Sequence, residues 1–198
     1  MVTAGRSLLS RAFYDRETVV VARALLGQRL VRDLYGQRLS GLVCETEAYG
    51  GPEDMASHAR RFTPRSAIMY GPPGYAYVYF VYGTHFCLNA VTESEGRAGA
   101  VLIRALLPQE GIAAMRAHRP GFANGQLANG PGKLCLALGI TGLHNGLDLT
   151  VPGALYIESG FAVPDDEVNI TPRVGVRGDQ RALTRPWRFE WLNPVKIG

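Results

Sequence analysis

Apolar residues near the N-terminus recur with the period of a helix. Within residues 16–26 they share one helical face, with Asp15 placed to cap the first turn and Gly27 placed to end the last. Two more helices are predicted farther along the chain, each opened by a proline, which is tolerated at the first helical position. They cover about 108–119 and 131–138, and the second ends before Gly139.

Elsewhere the pattern changes to the two-residue alternation of β-strands. Strands are predicted at 37–42 running into 43–49, at 75–82, 86–92 and 98–107, and again at 173–177 and 186–192. Gly96-Arg97 predicts a hairpin turn between the strands on either side of it. The sequence shows no internal repeat and no long linker. We therefore expect a single compact domain over residues 1–198, of the α/β (α+β) class, with helices packed on a curved, mixed, largely antiparallel sheet.

One predicted strand is unusually aromatic. Residues 75–82 carry no charge and include four tyrosines, and alternation places Tyr75, Tyr77 and Tyr79 on one face. Tyr82 falls at the exit of the strand, where the following glycine can direct the phenol outward. The pattern is compatible with a core strand whose hydroxyls stay solvated, and also with an aromatic platform on which bases stack.

Composition narrows the class of protein. Of the 198 residues 46% are hydrophobic and 19% are charged, and the formal net charge is +4. Only Lys133 and Lys196 are lysines among the 21 basic residues, and the arginine forks that remain suit phosphate oxygens as well as carboxylates. The positive net charge and the excess of arginine over lysine favour a nucleic acid partner, although an arginine bias also follows from genome composition.

Several other classes are not supported. The sequence has neither a run of about 18 uncharged apolar residues nor an apolar leader, so we expect no membrane span and a soluble, cytoplasmic protein. Cys44, Cys87 and Cys135 are odd in number and lie in apolar segments, which is typical of reduced core thiols. The four histidines form no ligand-spaced pair, and Cys-x-x-Cys is missing, so we expect neither a metal nor a cofactor.

Two carboxylates stand out in the strand at 43–49. Alternation places Val43, Glu45, Glu47 and Tyr49 on one face, with the carboxylates about 6–7 Å apart at the rise of a strand. That separation resembles the acid and base of an inverting carbohydrate hydrolase. A solvated strand face is an alternative, and so is a site where one carboxylate activates water while the other supports the scaffold.

Further polar residues interrupt apolar segments or cluster in loops. Arg104 lies in a nearly continuous apolar run, so this cation needs a partner, which either glutamate could provide. Asn89 lies inside another apolar strand and must be hydrogen-bonded to backbone or ligand. His58 could contact a substrate or only cap a turn. The basic residues Arg60, Arg61 and Arg65 suit phosphate contacts or an ordinary solvated loop, and Lys133 suits a phosphate contact or a simple helix start.

The order of these motifs resembles one known family. Glu45-Thr46-Glu47-Ala48-Tyr49, the Gly-Pro-Glu-Asp at 51–54, the tyrosine strand, Asn89, Arg104 and the Gly-Pro-Gly-Lys at 130–133 are similar to motifs of the alkyladenine (3-methyladenine) DNA glycosylases. The match spans roughly residues 12–192. The resemblance implies a bacterial, nucleoid-associated, monomeric enzyme with a fold like the C-terminal domain of formyltransferases. Its partner would be duplex DNA containing alkylated or deaminated purines.

The resemblance also implies roles for individual residues. Glu47 corresponds to the general base that deprotonates the attacking water, and Arg104 corresponds to the arginine that helps to hold this water. The flipped base would be contacted by Tyr49, His58 and Tyr79, while Asn89 disfavours the exocyclic amine of normal guanine. Tyr82 corresponds to the wedge that fills the vacated stack, and Met69 to a residue near the opposite strand. With a duplex as the partner, the residues whose chemistry suits phosphate are expected to contact the DNA backbone: Arg60, Arg61, Arg65 and Lys133.

The implied activity is monofunctional hydrolysis of the N-glycosidic bond of bases such as 3-methyladenine, 7-methylguanine, hypoxanthine and ethenoadenine. A lyase activity would need an amine nucleophile, for which the chain offers only Lys133, Lys196 and its N-terminus. A base deaminase would need a zinc signature that is missing. The alternatives left are a carbohydrate hydrolase that uses Glu45 and Glu47, and a non-catalytic nucleic-acid-binding module.

Overall fold

An antiparallel sheet organises the computed structural model, which describes residues 7–81 and 83–194. Within those ranges the sheet has eight strands: β1 (Arg29–Leu34), β2 (Gln37–Tyr49), β3 (Ala76–Val81), β4 (His85–Val91), β5 (Ala100–Glu110), β6 (Leu155–Glu158), β7 (Val168–Thr171) and β8 (Arg188–Trp191). The helices are short: α1 (Arg11–Tyr14), α2 (Thr18–Ala24), α3 (Ile112–His118), α4 (Pro131–Leu138) and α5 (Gln180–Thr184). The α+β class is confirmed, and the expected mixed sheet is corrected, because every strand pairing in the described ranges is antiparallel.

The long strand β2 lies at the centre of the sheet. The main path runs β3-β4-β5-β2-β1-β6, with β5 paired along one edge of β2. The other edge of β2 pairs first with β1 and then, from Glu45 to Glu47, with β8. The register with β5 shifts on both sides of Glu45. This irregularity coincides with the change of edge partner and lies where the candidate carboxylates begin.

The sheet separates two apolar clusters. The main core lies on the face covered by α2 and α4, and the second cluster consists of Ala59, Met69, Tyr77, Val91, Ala98 and Ala100. Val78 belongs to the main core although its neighbour Tyr77 belongs to the second cluster, and Val101 and Ala100 differ in the same way. Successive side chains on a strand point to opposite faces, so the second cluster lies on the side away from α2.

The predicted hydrophobic faces are partly confirmed. Tyr77 and Tyr79 share the side of the second cluster, while Ala76 and Val78 are in the main core. Val43 departs from its predicted face, because it is buried in the main core, whereas Glu45 and Glu47 contact Arg104 on the other side. The register shift between Val43 and Glu45 accounts for the difference.

Two helix starts were predicted wrongly. Helix α2 covers Thr18–Ala24 rather than 16–26, and the N–H of Thr18 donates to the carboxylate of Glu93, 2.7 Å away, so a distant loop replaces the expected Asp15 cap. Pro108 lies in β5 opposite Gly41, and the strand continues to Glu110. Helix α3 starts only after Gly111, whose φ of 72° ends the strand.

The remaining elements agree with the sequence pattern in part. Helix α4 begins with Pro131 and ends at the left-handed Gly139, and β4 and β5 form the predicted antiparallel pair. The predicted strand at 186–192 is confirmed as β8, but residues 173–177 form a loop instead of a strand. Strands β1, β6 and β7 were not predicted. No helix in the described ranges is long and apolar enough to span a bilayer.

Candidate active site

A cavity of about 650 Å³ opens on the side of the second cluster. Its wall comes from the end of β2, residues 55–65, strands β3 and β4, and the loop at 175–177. Nine of the lining residues were singled out from the sequence: Tyr49, His58, Arg60, Arg61, Arg65, Met69, Tyr77, Tyr79 and Asn89. The fold thus brings together all four predicted base-contacting residues, Tyr49, His58, Tyr79 and Asn89, from four separate segments.

Glu47 lies behind Tyr49, completely buried. Its Oε1 accepts a hydrogen bond from the N–H of Val174 at 2.7 Å, and its Oε2 accepts one from the Tyr49 hydroxyl at 2.7 Å. Arg104 Nη1 lies 3.2 Å from the same Oε2. Burial and the nearby Glu47 raise the pKa of Tyr49, so the phenol stays protonated and donates. The carboxylate is thereby held in one orientation behind Tyr49, which lines the cavity, while Glu47 and Arg104 themselves do not line it.

Arg104 joins the two glutamates. Its Nε donates to Glu45 Oε1 at 2.7 Å, and Arg188 Nε donates to the same oxygen at 2.6 Å. Burial alone would lower the pKa of Arg104, but the carboxylates of Glu47 and Glu45 together raise it above its ordinary value. Glu45 is therefore engaged by two guanidinium groups. The two carboxylates lie side by side on one strand and share a cation, which does not suit an acid and a base that bracket one bond.

Three aromatic rings form one wall of the cavity. The Tyr77 hydroxyl lies 2.8 Å from His58 Nδ1, and the rings of His58 and Tyr79 meet edge to face with centroids 4.6 Å apart. The rings of Tyr77 and Tyr79 are 5.1 Å apart. The pKa of His58 is lowered to about 4, although the ring keeps contact with solvent. The largest cause is desolvation of the ring, and the positive charges of Arg65 and Arg60 come next. The wall is therefore uncharged at neutral pH, and its rings can pack against a flat ligand.

Four arginines line the cavity. Arg60, Arg61 and Arg65 come from one segment, Arg177 comes from the loop at 175–177, and all four are exposed. The Arg65 guanidinium lies 4.8 Å from the centroid of the Tyr79 ring, a cation–π contact. Four exposed positive charges thus lie along the aromatic cavity, where they suit a polyanion.

Asn89 connects the cavity to the sheet. It is 3% exposed, lies opposite Tyr77 in the pairing of β3 with β4, and donates from Nδ2 to the Tyr77 carbonyl at 3.0 Å. The prediction that this buried amide must be hydrogen-bonded is confirmed, and the partner is backbone. Because its nitrogen is engaged there, the amide is fixed in place where it faces the cavity.

Not every predicted DNA contact lies at the cavity mouth. Met69 is only 1% exposed and packs in the second cluster, so in this structure it supports the cavity wall and does not project toward a DNA strand. Lys133 is exposed at the start of α4, outside the cavity wall, with its Nζ on Asn129 Oδ1 at 3.0 Å. Tyr82 lies outside the described residues.

Sequence reasoning missed an entire part of the site. The loop at 173–177 was interpreted as a strand, yet Val174 holds Glu47 and Arg177 lines the cavity. Asp54 and Arg173 form a fully buried ion pair beside it. The sequence contains little indication of this pair, because Asp54 and Arg173 are 119 positions apart and no local periodicity connects them.

Two further observations concern metal-ligating and nucleophilic side chains. Across residues 7–81 and 83–194, no group of three or more His, Cys, Asp or Glu side chains is arranged to hold a metal ion. Cys87 is a free thiol opposite Tyr79 in the pairing of β3 with β4, and burial raises its pKa to about 11, so it is not a ready nucleophile. A carboxylate is a group that can act as a general base, and Glu47 is buried, paired with Arg104 and bonded to a residue that lines the cavity.

Comparison with known proteins identifies the family. The family model described as "Methylpurine-DNA glycosylase (MPG)" matches residues 12–194. Three similar proteins carry the name "Putative 3-methyladenine DNA glycosylase". The protein of Methanocella arvoryzae is 48% identical over 184 residues, 92% of this chain and 91% of the relative. The Carboxydothermus hydrogenoformans relative is 45% identical, with 94% and 96% covered, and that of Myxococcus xanthus is 46% identical, with 93% and 89% covered.

Proposed function

The chain belongs to the methylpurine-DNA glycosylase family, and we propose that it releases damaged purines from duplex DNA by attack of a Glu47-activated water. The observation that carries this proposal is the buried Glu47 carboxylate, paired with Arg104 and adjacent to an aromatic cavity. A base within a duplex is stacked and out of reach, so the damaged nucleotide has to be extruded into such a cavity before its bond can be cut.

Binding of the extruded base is assigned to the aromatic wall. A cavity of about 650 Å³ lies within the range of about 300–1,000 Å³ that is usual for small-molecule sites. Tyr79 and Tyr49 offer ring faces for stacking. The amide of Asn89 is proposed to discriminate against bases that carry the exocyclic amine of guanine. Purines alkylated at N3 or N7 carry positive charge, so electron-rich rings attract them by cation–π interaction as well as by shape.

Hydrolysis is assigned to Glu47. The carboxylate accepts a proton from water while the water oxygen bonds to C1′, and the purine departs with the electron pair of the glycosidic bond. Arg104 supplies a positive charge 3.2 Å from the carboxylate, and the N–H of Val174 and the Tyr49 hydroxyl hold the carboxylate in place. A cationic alkylated purine leaves as a neutral base, so this step needs no acid.

Neutral lesions such as hypoxanthine and ethenoadenine require protonation of the leaving base. His58 is poorly suited to this role, because its pKa of about 4 leaves it without a proton to donate at neutral pH. We therefore propose cationic methylpurines as the better substrates and assign His58 to contact with the base. Arg60, Arg61, Arg65 and Lys133 are proposed to contact DNA phosphates, and Tyr82 to occupy the vacated position in the stack.

Replacement of Glu47 by glutamine tests the proposal. With methylated duplex DNA and excess enzyme, Glu47→Gln is expected to reduce the single-turnover rate of base release by about 100-fold or more, while affinity for lesion-containing duplex persists. Glu45→Gln is the matched control, since Glu45 lies on the same strand and contacts the same Arg104. It should retain most of the activity.

Two results would contradict the assignment. Turnover by Glu47→Gln comparable to that of the unmodified protein would exclude the general base, and an equal loss in Glu45→Gln would indicate a scaffold effect. Release of reducing sugar from an oligosaccharide, without release of methylpurine from DNA, would favour the carbohydrate hydrolase instead.

A further inference from the structure

A buried ion pair between Asp54 and Arg173 lies beside the candidate active site and takes no part in the chemistry proposed above. Both side chains are 0% exposed. Arg173 donates from Nη1 to Asp54 Oδ2 at 2.6 Å and from Nη2 to Oδ1 at 2.8 Å, a bidentate arrangement. The Asp54 oxygens also accept from the N–H groups of Gly50, at 3.0 Å, and Ala56, at 3.2 Å.

The same guanidinium connects several parts of the cavity wall. Its Nη1 donates to the Ala48 carbonyl of β2 at 3.0 Å, and its Nη2 donates to the Ala182 carbonyl of α5 at 3.1 Å. The Cζ atom of Arg173 lies 4.8 Å from the centroid of the Tyr49 ring and 5.1 Å from that of Trp187. One side chain thereby fixes β2, α5 and the Tyr49 ring relative to one another.

Arg173 also controls the position of the next residue. Val174 follows it directly, and the Val174 N–H donates to Glu47 Oε1 at 2.7 Å. On the other carboxylate oxygen, the donor is the hydroxyl of Tyr49, whose ring packs against the guanidinium. Both uncharged donors to Glu47 are therefore placed by the ion pair, one through the backbone and one through ring packing.

Stability alone is a poor explanation for this pair. Arg173 Nε is buried and, within the described part of the chain, has no hydrogen-bond partner. A buried pair that leaves a donor unsatisfied usually contributes less to stability than apolar residues of similar volume would. What the pair does accomplish is a fixed geometry around Glu47.

We propose that the Asp54–Arg173 pair is a positioning device for the general base: it holds the Val174 N–H and the Tyr49 hydroxyl on Glu47. This inference rests on the proposed function of Glu47. Removing the pair would let residues 173–174 move, so the carboxylate would lose a donor that favours its ionised form. The base would then become competent only at higher pH.

The test compares Arg173→Lys and Asp54→Asn with the unmodified protein. Lysine keeps the positive charge but loses the bidentate fork. For each variant, the single-turnover rate of methylpurine release per folded molecule is measured across the acidic pH range. We expect a rate loss of roughly tenfold and an acidic midpoint about one pH unit higher, the fold change that one hydrogen bond to a charged group provides.

The control is Asp179→Ala, because Asp179 caps α5 by accepting from the Ala182 N–H at 2.8 Å, an acceptor that alanine lacks, and its cap bond does not involve the Arg173 side chain. It should weaken the same helix without moving the acidic midpoint. A merely structural role for the pair predicts a lower melting temperature with an unchanged rate–pH profile in every folded variant, and that result would overturn the proposal.

If neither Arg173→Lys nor Asp54→Asn folds, replacing the Val174 amide by an ester deletes only the N–H and leaves the pair intact. An unchanged acidic midpoint in the ester protein would overturn the proposal, and a raised midpoint would support it. Failure of the proposed function is distinguishable, since the unmodified protein would then release no methylpurine or Glu47→Gln would remain active.

Discussion

Replacing Arg104 by methionine measures what its guanidinium does for Glu47. Methionine fills similar space without a charge. Arg188→Met is the matched control, because both arginines donate from Nε to Glu45 Oε1, at 2.7 and 2.6 Å. Only Arg104 also reaches Glu47, at 3.2 Å. Arg188 has two further partners, Thr171 Oγ1 at 3.1 Å and Glu190 Oε2 at 3.2 Å, but Glu190 is 38% exposed whereas Glu47 is fully buried. An excess loss in Arg104→Met therefore reports the interaction of Arg104 with the buried Glu47.

The size of the effect follows from distance and burial. Two unit charges at this separation attract by about 5 kcal/mol when the effective dielectric constant is about 20. Glu47 is 0% exposed, and removing one partner of a buried pair typically costs about 3–5 kcal/mol. Glu47 keeps its bonds from Val174 and Tyr49 in both variants. We expect Arg104→Met to lose about 3 kcal/mol more unfolding free energy than Arg188→Met at neutral pH.

Urea unfolding followed by circular dichroism gives both free energies. Repeating it at acidic pH supplies an internal check, because a protonated Glu47 no longer needs a cation and the difference should shrink. The single-turnover rate of base release should fall far more in Arg104→Met than in Arg188→Met. Equal losses of stability at neutral pH, or a difference that persists in acid, would refute the argument that Arg104 neutralises Glu47.

Three further outcomes are expected. Tyr79→Leu should weaken lesion-duplex binding about 5- to 100-fold, because stacking on an aromatic ring contributes about 1–3 kcal/mol per base, while Tyr79→Phe should bind normally; equal loss in both would exclude stacking. The His58 pKa is depressed from its ordinary 6.5, so the fold loses the stability of the neutral ring as pH falls from 6.5 through 4; an NMR titration midpoint near 6.5 would contradict this. Tyr82→Ser should slow base release from duplex DNA more than from single strands, and equal slowing would argue against a wedge.

Local pattern predicted the sheet better than the helices. Strands β2 to β5 follow from alternation, since a side chain every second residue faces the core. The Asp15 cap was wrong because Glu93 supplies the acceptor from a distant loop, and Pro108 was wrong because strand pairing continued past it. The loop at 173–177 resembles a strand in composition, but its ion pair and its bond to Glu47 hold it out of the sheet.

Between Glu45 and Tyr49, the sequence by itself determined which side chains share a face. Alternation along one strand places Glu45, Glu47 and Tyr49 together, because the direction of a side chain follows from its own backbone. Only the tertiary structure decided what these residues meet. Glu47 became a carboxylate held by Arg104, a hydroxyl and a backbone N–H, and that N–H comes from Val174, 127 positions away. Contacts of that kind depend on how distant segments pack, and no period within a single segment encodes them.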